Sequence, residues 1–280
     1  MTVKIVTDSL GDIPSDVAEE LGITIIPLNV IFGEDVYRDG VDLTTEQFYA
    51  KLAKSEVLPT TQIDSLDVFV QAYDKLAEES DEILVIANSR KVSASYEAMM
   101  QSVGKMKRPC RVEVIDSQWA IMAQGLIVIA AAKAAKKGAK IEELMALTRK
   151  NITRADTRMV FDTLAYLEEG GRIGKARAFL GSKLKITPIL GIREGEVFPF
   201  SREHSRARAI DHLYYFATSF SHIDEMAVEH ATTPKEADAL AKRLKSQFPK
   251  TKIYRTMVSP VIGAHVGPRV LGVAVLGDRG

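Results

Sequence analysis

His265 is the residue of this sequence most plainly set up for chemistry. It lies two residues from Gly263 and two from Gly267, inside Ser259-Pro260-Val261-Ile262-Gly263-Ala264-His265-Val266-Gly267-Pro268. Glycine lets a backbone turn sharply or lie against another group, and proline restricts it further. An imidazole framed in this way has little freedom, as a binding or general-base histidine needs. A histidine that caps a turn and hydrogen-bonds a carbonyl fits the same frame. Hydroxyl groups supply the other candidates. Thr60 and Thr61 follow Pro59, and Ser93 and Ser95 open a helix. A helix N-terminus has free N–H groups and a positive dipole end that attract anions, although a serine there also serves as an ordinary cap. Two hydroxyl donors and an imidazole suffice to hold one carboxylate.

Other chemistries find little support. The dinucleotide pattern G-x-G-x-x-G is absent, as is the G-x-S-x-G elbow of serine hydrolases. Gly170-Gly171-Arg172-Ile173-Gly174-Lys175 looks like a phosphate loop but is one residue short. Ala176 stands where a magnesium-binding hydroxyl belongs. His204, His212, His222, His230 and His265 lack metal-ligand spacing. A self-sufficient kinase, dehydrogenase, esterase or zinc enzyme is therefore not expected, and no metal is assigned.

The bulk composition agrees. The 280 residues are 46% hydrophobic and 26% charged, and 37 acids balance 37 bases. That is an ordinary globular composition, with no global charge for nucleic-acid binding. Cys110 is the single cysteine, so an internal disulfide is excluded and a reducing cytoplasm is expected. The N-terminus reads as a strand without a signal peptide. The most apolar segment, 119–132, is shorter than the roughly 20 residues a membrane helix needs and reads as a buried helix.

Apolar strands over 3–6, 82–87 and 111–115 end alike, in Thr7-Asp8-Ser9, Asn88-Ser89 and Asp116-Ser117, and each precedes a helix. Alternation of this kind predicts a parallel sheet covered on both faces. Ligands bind beyond the carboxyl ends of such strands, which makes Asp8, Ser9 and Ser117 candidates. Their alternative role is capping the following helix. Residues 23–32 read as one edge or irregular strand containing Pro27, 37–43 as a turn, and 58–61 as a loop. From about Thr157 the texture changes to a second α/β unit. Strands are expected there at 159–163, 186–192, 196–200, 225–230, 252–257 and 270–276, with helices at 206–219 and 235–248. The expected fold is α/β with two domains: an N-terminal parallel-sheet, Rossmann-like domain over 1–155 and a C-terminal mixed-sheet domain over 156–280, with the ligand between them.

The chain resembles the DegV family, the fatty-acid-binding family of bacterial fatty acid kinase, over nearly its whole length. The likeness rests on Thr7-Asp8-Ser9, Tyr37-Arg38-Asp39-Gly40-Val41-Asp42, Leu58-Pro59-Thr60-Thr61, Val92-Ser93-Ala94-Ser95-Tyr96, Val114-Ile115-Asp116-Ser117, Leu167-Glu168-Glu169-Gly170-Gly171-Arg172-Ile173 and residues 262–268, in that order and spacing. It implies a fatty acid buried between two domains, with its tail in an apolar tunnel and its carboxylate at Thr61, Ser93 and His265. Asp8, Ser9, Thr60, Ser95, Ser117, Gly263 and Arg172 are further candidate contacts. It also implies a separate ATP-binding kinase subunit that receives the lipid and no cofactor beyond the bound fatty acid; no nucleic acid and at most transient membrane contact are expected. The chain departs from the family pattern at Gln62-Ile63-Asp64, at Ala94, at Arg90-Lys91 and at Arg202-Glu203-His204-Ser205.

Physical chemistry suits a carrier. Each buried methylene contributes about 0.8 kcal/mol, so a long acyl chain offers on the order of 10 kcal/mol before costs. The polar groups need only orient the head group and satisfy its charge. The alternatives are an acyl or phosphoryl transferase with His265 as base, and a scaffold that binds RNA or protein through a basic run. That run comprises Arg172, Lys175, Arg177, Lys183 and Lys185, joined by Arg202, Arg206 and Arg208. Most such runs are solvated faces; an acidic docking partner is the functional reading.

Overall fold

A computed structural model of the chain describes residues 2–63, 65–180 and 186–280. Asp64, Lys183 and Lys185, named above, lie outside the described residues. Strands β1 (Lys4–Asp8), β2 (Ile23–Ile26), β6 (Glu82–Ala87) and β7 (Arg111–Asp116) form a parallel sheet in the order β2-β1-β6-β7. Ile83 to Ala87 are fully buried, so this central strand is apolar throughout rather than alternating. Its residues still divide between two faces. Ile83, Val85 and Ala87 pack with α3 (Asp67–Leu76) and α4 (Ser95–Val103). Leu84 and Ile86 pack with α5 (Ile121–Lys136), beside α1 (Ser15–Leu21) and α6 (Ile141–Ile152).

Helix α5 explains the apolar segment in the sequence. It lies between the parallel sheet and a second, six-stranded sheet and packs on both. A helix with no solvent face has no reason to carry a polar stripe. Gly125 sits in its middle because a Cβ there would come within 2.4 Å of the Gly11 carbonyl oxygen. The second sheet comprises β8 (Ala155–Val160), β9 (Thr187–Arg193), β10 (Glu196–Glu203), β11 (Phe220–His230), β12 (Lys252–Met257) and β13 (Leu271–Arg279). Its order is β10-β9-β8-β13-β11-β12. The β11–β12 pair is parallel and the others are antiparallel, so the sheet is mixed. Helices α8 (Arg206–Thr218) and α9 (Pro234–Gln247) cover its outer face through an apolar cluster that includes Leu213, Leu240 and Val273. The first strand of this sheet starts at Ala155, earlier than the expected 159.

A third sheet was not expected. Strands β3 (Asn29–Phe32), β4 (Asp35–Arg38) and β5 (Thr60–Gln62) pair antiparallel in the order β4-β3-β5. Residues 23–32 are thus two strands in different sheets. Pro27 has no N–H for the ladder, β2 stops at Ile26, and the chain leaves the parallel sheet. The hairpin from β3 to β4 turns at Gly33-Glu34, where Gly33 has φ +62°, a conformation that hairpin turns require and glycine adopts freely. Helix α2 (Thr45–Leu52) follows, closed by a reciprocal cap in which Thr44 and Gln47 bond each other's backbone N–H. Among the described residues no helix is long and apolar enough to cross a membrane.

Candidate functional site

His265 lies on a short helix, α10 (Pro260–Val266), rather than in a turn. Pro260 occupies the first turn, where its missing N–H is not needed. The two flanking glycines act by letting this helix sit close to its neighbours. A Cβ at Gly263 would lie 2.6 Å from the Phe48 ring and 2.7 Å from the Tyr49 hydroxyl. Gly267 ends the helix at φ +73°, and a Cβ there would lie 2.4 Å from the Tyr166 ring on α7 (Ala165–Glu169). Tightly seated between α2 and α7, the helix holds its histidine at a fixed place.

Strand β5 supplies the partner. Side chains alternate along a strand, so Thr60 is exposed while Thr61 turns inward beside Val30. Thr61 Oγ1 lies 2.8 Å from His265 Nε2. The far side of the imidazole packs on Gly170, where a Cβ would come within 2.4 Å of Nδ1. Arg172, two residues on, donates to the Gly170 carbonyl at 2.7 Å and to the Val92 carbonyl at 3.2 Å. It thereby ties the Gly170-Gly171 turn to the segment that carries Ser93. Ser93 precedes α4, and its Oγ accepts from the Ser95 N–H at 3.2 Å, which leaves the hydroxyl proton available.

Thr61, Ser93, Arg172 and His265 all border one cavity of about 330 Å³. It lies beyond the carboxyl ends of β1, β6 and β7, at Leu10, Asn88 and Ala120, and against Met159, Leu190 and Ile192 of the six-stranded sheet. Most of its wall is aliphatic or aromatic, and the polar groups are few, as in a site for a largely apolar ligand. Ile121, at the mouth of α5, also lines it with φ +54°, a strained conformation for a β-branched residue. Burial pushes the His265 imidazole down to about 4, with Arg172 adding to the effect. His265 is therefore neutral at pH 7. The cavity edge offers an uncharged imidazole, two hydroxyls and one guanidinium, a donor set for an anion carried by an apolar body.

The remaining candidates from the sequence lie elsewhere. Asp8 is buried and accepts from Ser95 Oγ (2.7 Å), Gln124 Nε2 (3.0 Å), Leu10 N–H (3.2 Å) and Asn88 N–H (3.2 Å). Asp8 and Ser95 thus join strand ends to helices beneath the cavity. Ser9 Oγ accepts from the Leu28 N–H at 3.2 Å. Ser117 forms a turn with Trp119, accepting from its N–H at 3.1 Å and donating to its carbonyl at 3.2 Å. Gly263 contacts α2. The basic run is partly neutralised, since Arg206 is bonded to Glu236 and Asp162. Arg90 and Lys91 stand against Glu97 and Glu196 at 3.4 and 3.5 Å. Gln62, Ile63, Asn88 and Thr157 also line the cavity. Asn88 belongs to a strand-end polar pair, which was a usable signal. Thr157 lies mid-strand in β8, and nothing in its sequence neighbourhood marks it. Among the described residues no cluster of three or more His, Cys, Asp or Glu is arranged to hold a metal ion.

Comparisons with known proteins cover the whole length. A family model described as "Uncharacterised protein, DegV family" matches residues 2–278. A DegV domain-containing protein of Clostridium perfringens is 36% identical over 280 residues, 98% of each chain. Protein DegV of Bacillus subtilis is 32% identical over 287 residues, again 98% of each chain. Among solved structures, a DegV family protein from Thermus thermophilus, described by its fatty acid binding, superposes with a TM-score of 0.91 at 27% identity, over 99% of this chain and 100% of its own. DegV from Bacillus subtilis, described as a fatty acid binding protein, superposes with a TM-score of 0.90 at 29% identity, over 99% and 100%.

Proposed function

The chain belongs to the DegV family, and on that premise we propose that it binds a long-chain fatty acid, tail in the apolar cavity and carboxylate at Thr61, Ser93 and His265. The observation that carries this reading is the 2.8 Å pairing of Thr61 with His265 at the edge of a cavity whose other walls are mostly apolar. The neighbours from Thermus thermophilus and Bacillus subtilis, described as binding fatty acid, support it. Displacement titrations with oleate and with its methyl ester test it. The acid should bind about tenfold or more tightly than the ester, the usual loss when buried donors are left unpaired. Equal binding of acid and ester would leave the polar trio without a role.

The carrier is not itself catalytic in this reading, and it hands its lipid to an ATP-binding kinase subunit. That step rests on the family resemblance, whereas the two domains divided near residue 155 and the cytoplasmic setting rest on the change of texture near Thr157 and on the single cysteine, Cys110. The transferase alternative is disfavoured by the histidine. An imidazole held near 4 is a weak base at pH 7. Its Nδ1 has no hydrogen-bond partner among the described residues, so the orienting group that activates a histidine base is not provided.

A further inference from the structure

Three carboxyl groups lie buried behind the helix that carries His265. Asp12 follows the 3₁₀ turn after β1, Asp39 follows β4, and Glu229 is on β11; they are 6%, 6% and 0% exposed. Asp12 Oδ1 accepts from the Ser259 N–H at 3.1 Å, and its carbonyl accepts from Thr256 Oγ1 at 3.0 Å. Asp39 lies near the Ser9 hydroxyl and the Val261 N–H, the latter in the first turn of α10. Glu229 Oε2 accepts from the Met122 N–H at 3.0 Å, in the first turn of α5. Asp12 has φ +49°, unusual for a residue other than glycine, and that backbone aims its side chain at Ser259.

The Asp12 and Glu229 carboxyl groups are direct neighbours. As two acceptors, Asp12 Oδ2 and Glu229 Oε1 have no hydrogen-bond partner. A single proton between them satisfies both. The surroundings offer no positive charge in its place. Asp39 faces Asp12 from just after β4, and the Tyr49 hydroxyl of α2 faces Asp12 and Asp39 while donating to the Val258 carbonyl. From α10, β12, α5 and the turn after β1 come only neutral groups: the Ser259, Val261 and Met122 N–H groups and the Ser259, Thr256 and Ser9 hydroxyls. Among the described residues no lysine, arginine or histidine pairs with Asp12, Asp39 or Glu229. Two adjacent buried carboxylates without a cation do not both ionise at ordinary cost.

Resting on the fatty-acid reading, we propose that Asp12 and Glu229 are positioning residues for His265: they share one proton, and that proton keeps the first turn of α10 seated against the turn after β1. The pair titrates as a unit. Burial raises Asp12 to about 8 and lifts Glu229 well above its usual range. Asp39, lifted to about 7, adds a lower and separable step. Loss of the shared proton places a second buried negative charge beside the Ser259 anchor. Helix α10 then loosens and the carboxylate contact at His265 weakens.

Oleate affinity measured from pH 6.5 to 9.5 tests the proposal. Wild type should lose about tenfold or more in affinity as pH rises through 8, because one required proton is removed. Glu229→Gln supplies a permanent N–H donor to Asp12 and should abolish the loss as pH rises through 8, keeping only the lower step of Asp39. Asp39→Asn should keep the upper loss and remove only a lower one. A flat wild-type profile overturns the proposal, and so does an unchanged alkaline loss in Glu229→Gln. If Glu229→Gln does not fold, Asp12→Asn and the wild-type profile decide the matter. Failure of wild type to bind oleate at any pH would contradict the fatty-acid reading itself.

Discussion

Thr61 Oγ1 and His265 Nε2 meet at 2.8 Å from positions 204 residues apart in the chain. One arrives on an edge strand of a small antiparallel sheet and the other on a short helix before the last strand. Gly170 closes the imidazole from behind, and Arg172 ties that glycine to the segment bearing Ser93. The polar end of the cavity is thus built from four separate parts of the sequence around one neutral ring.

Removing the polar contacts should change head-group recognition and leave the fold intact. Ser93→Ala combined with His265→Ala is expected to erase the preference for oleate over its methyl ester, a change of about tenfold or more. The apolar wall still holds the tail. Thr61→Val should act in the same direction, whereas Thr60→Ala, on the exposed face of the same strand, should do nothing. Displacement titration together with a urea melt checks both halves of the expectation.

Gly170→Ala probes the back wall. Gly170 has ordinary helical φ and ψ of −72° and −4°, so alanine fits the backbone. Its Cβ would nevertheless stand 2.4 Å from His265 Nδ1, and the ring must move. The variant should melt near wild type and bind oleate several-fold more weakly. Unaltered oleate affinity in a well-folded Gly170→Ala protein would mean that the ring position is immaterial.

Acid should destabilise the ligand-free protein through His265. Its folded value of about 4 lies below the unfolded 6.5, so the unfolded state binds more protons between those values. Stability is unaffected above 6.5, falls as pH drops from 6.5 to 4, and the loss from this group is complete below 4. It amounts to on the order of 3 kcal/mol. Urea midpoints of wild type and His265→Gln at pH 7 and pH 4.5 measure it. The glutamine variant should lose distinctly less on acidification.

Asp8 should behave as a structural residue. Four hydrogen bonds converge on its buried carboxyl. Asp8→Ala leaves the Leu10 and Asn88 N–H groups, Gln124 and Ser95 without their acceptor, a loss of about 3–5 kcal/mol in unfolding free energy. Whatever folded fraction remains should still prefer the acid to the ester. A stable Asp8→Ala protein that had lost that preference would return Asp8 to the binding site.

The sequence revealed most where a pattern was repeated. Three strand ends with the same polar punctuation pointed to the ligand side of the parallel sheet, and the apolar run 119–132, interrupted by Gln124, marked a buried helix. Thr61, Ser93, Arg172 and His265 were read from family-like motifs, and they line one cavity. The small sheet was missed because its strands are short: Thr60–Gln62 has three residues, too few to show alternation. The helix around His265 was missed because glycine and proline signal a turn. Pro260 in fact starts the helix, and the glycines serve its close contacts with Phe48, Tyr49 and Tyr166. The carboxyl cluster behind it joins residues 12, 39 and 229, whose proximity exists only in the folded chain.

Mass spectrometry of the purified protein, first native and then after solvent extraction, tests the central claim most directly. Burial of a long apolar tail makes the ligand slow to leave. The account predicts one fatty acid per chain, retained in the native spectrum and identified in the extract. A clean ligand-free mass, with no uptake when fatty acids are added, would contradict it.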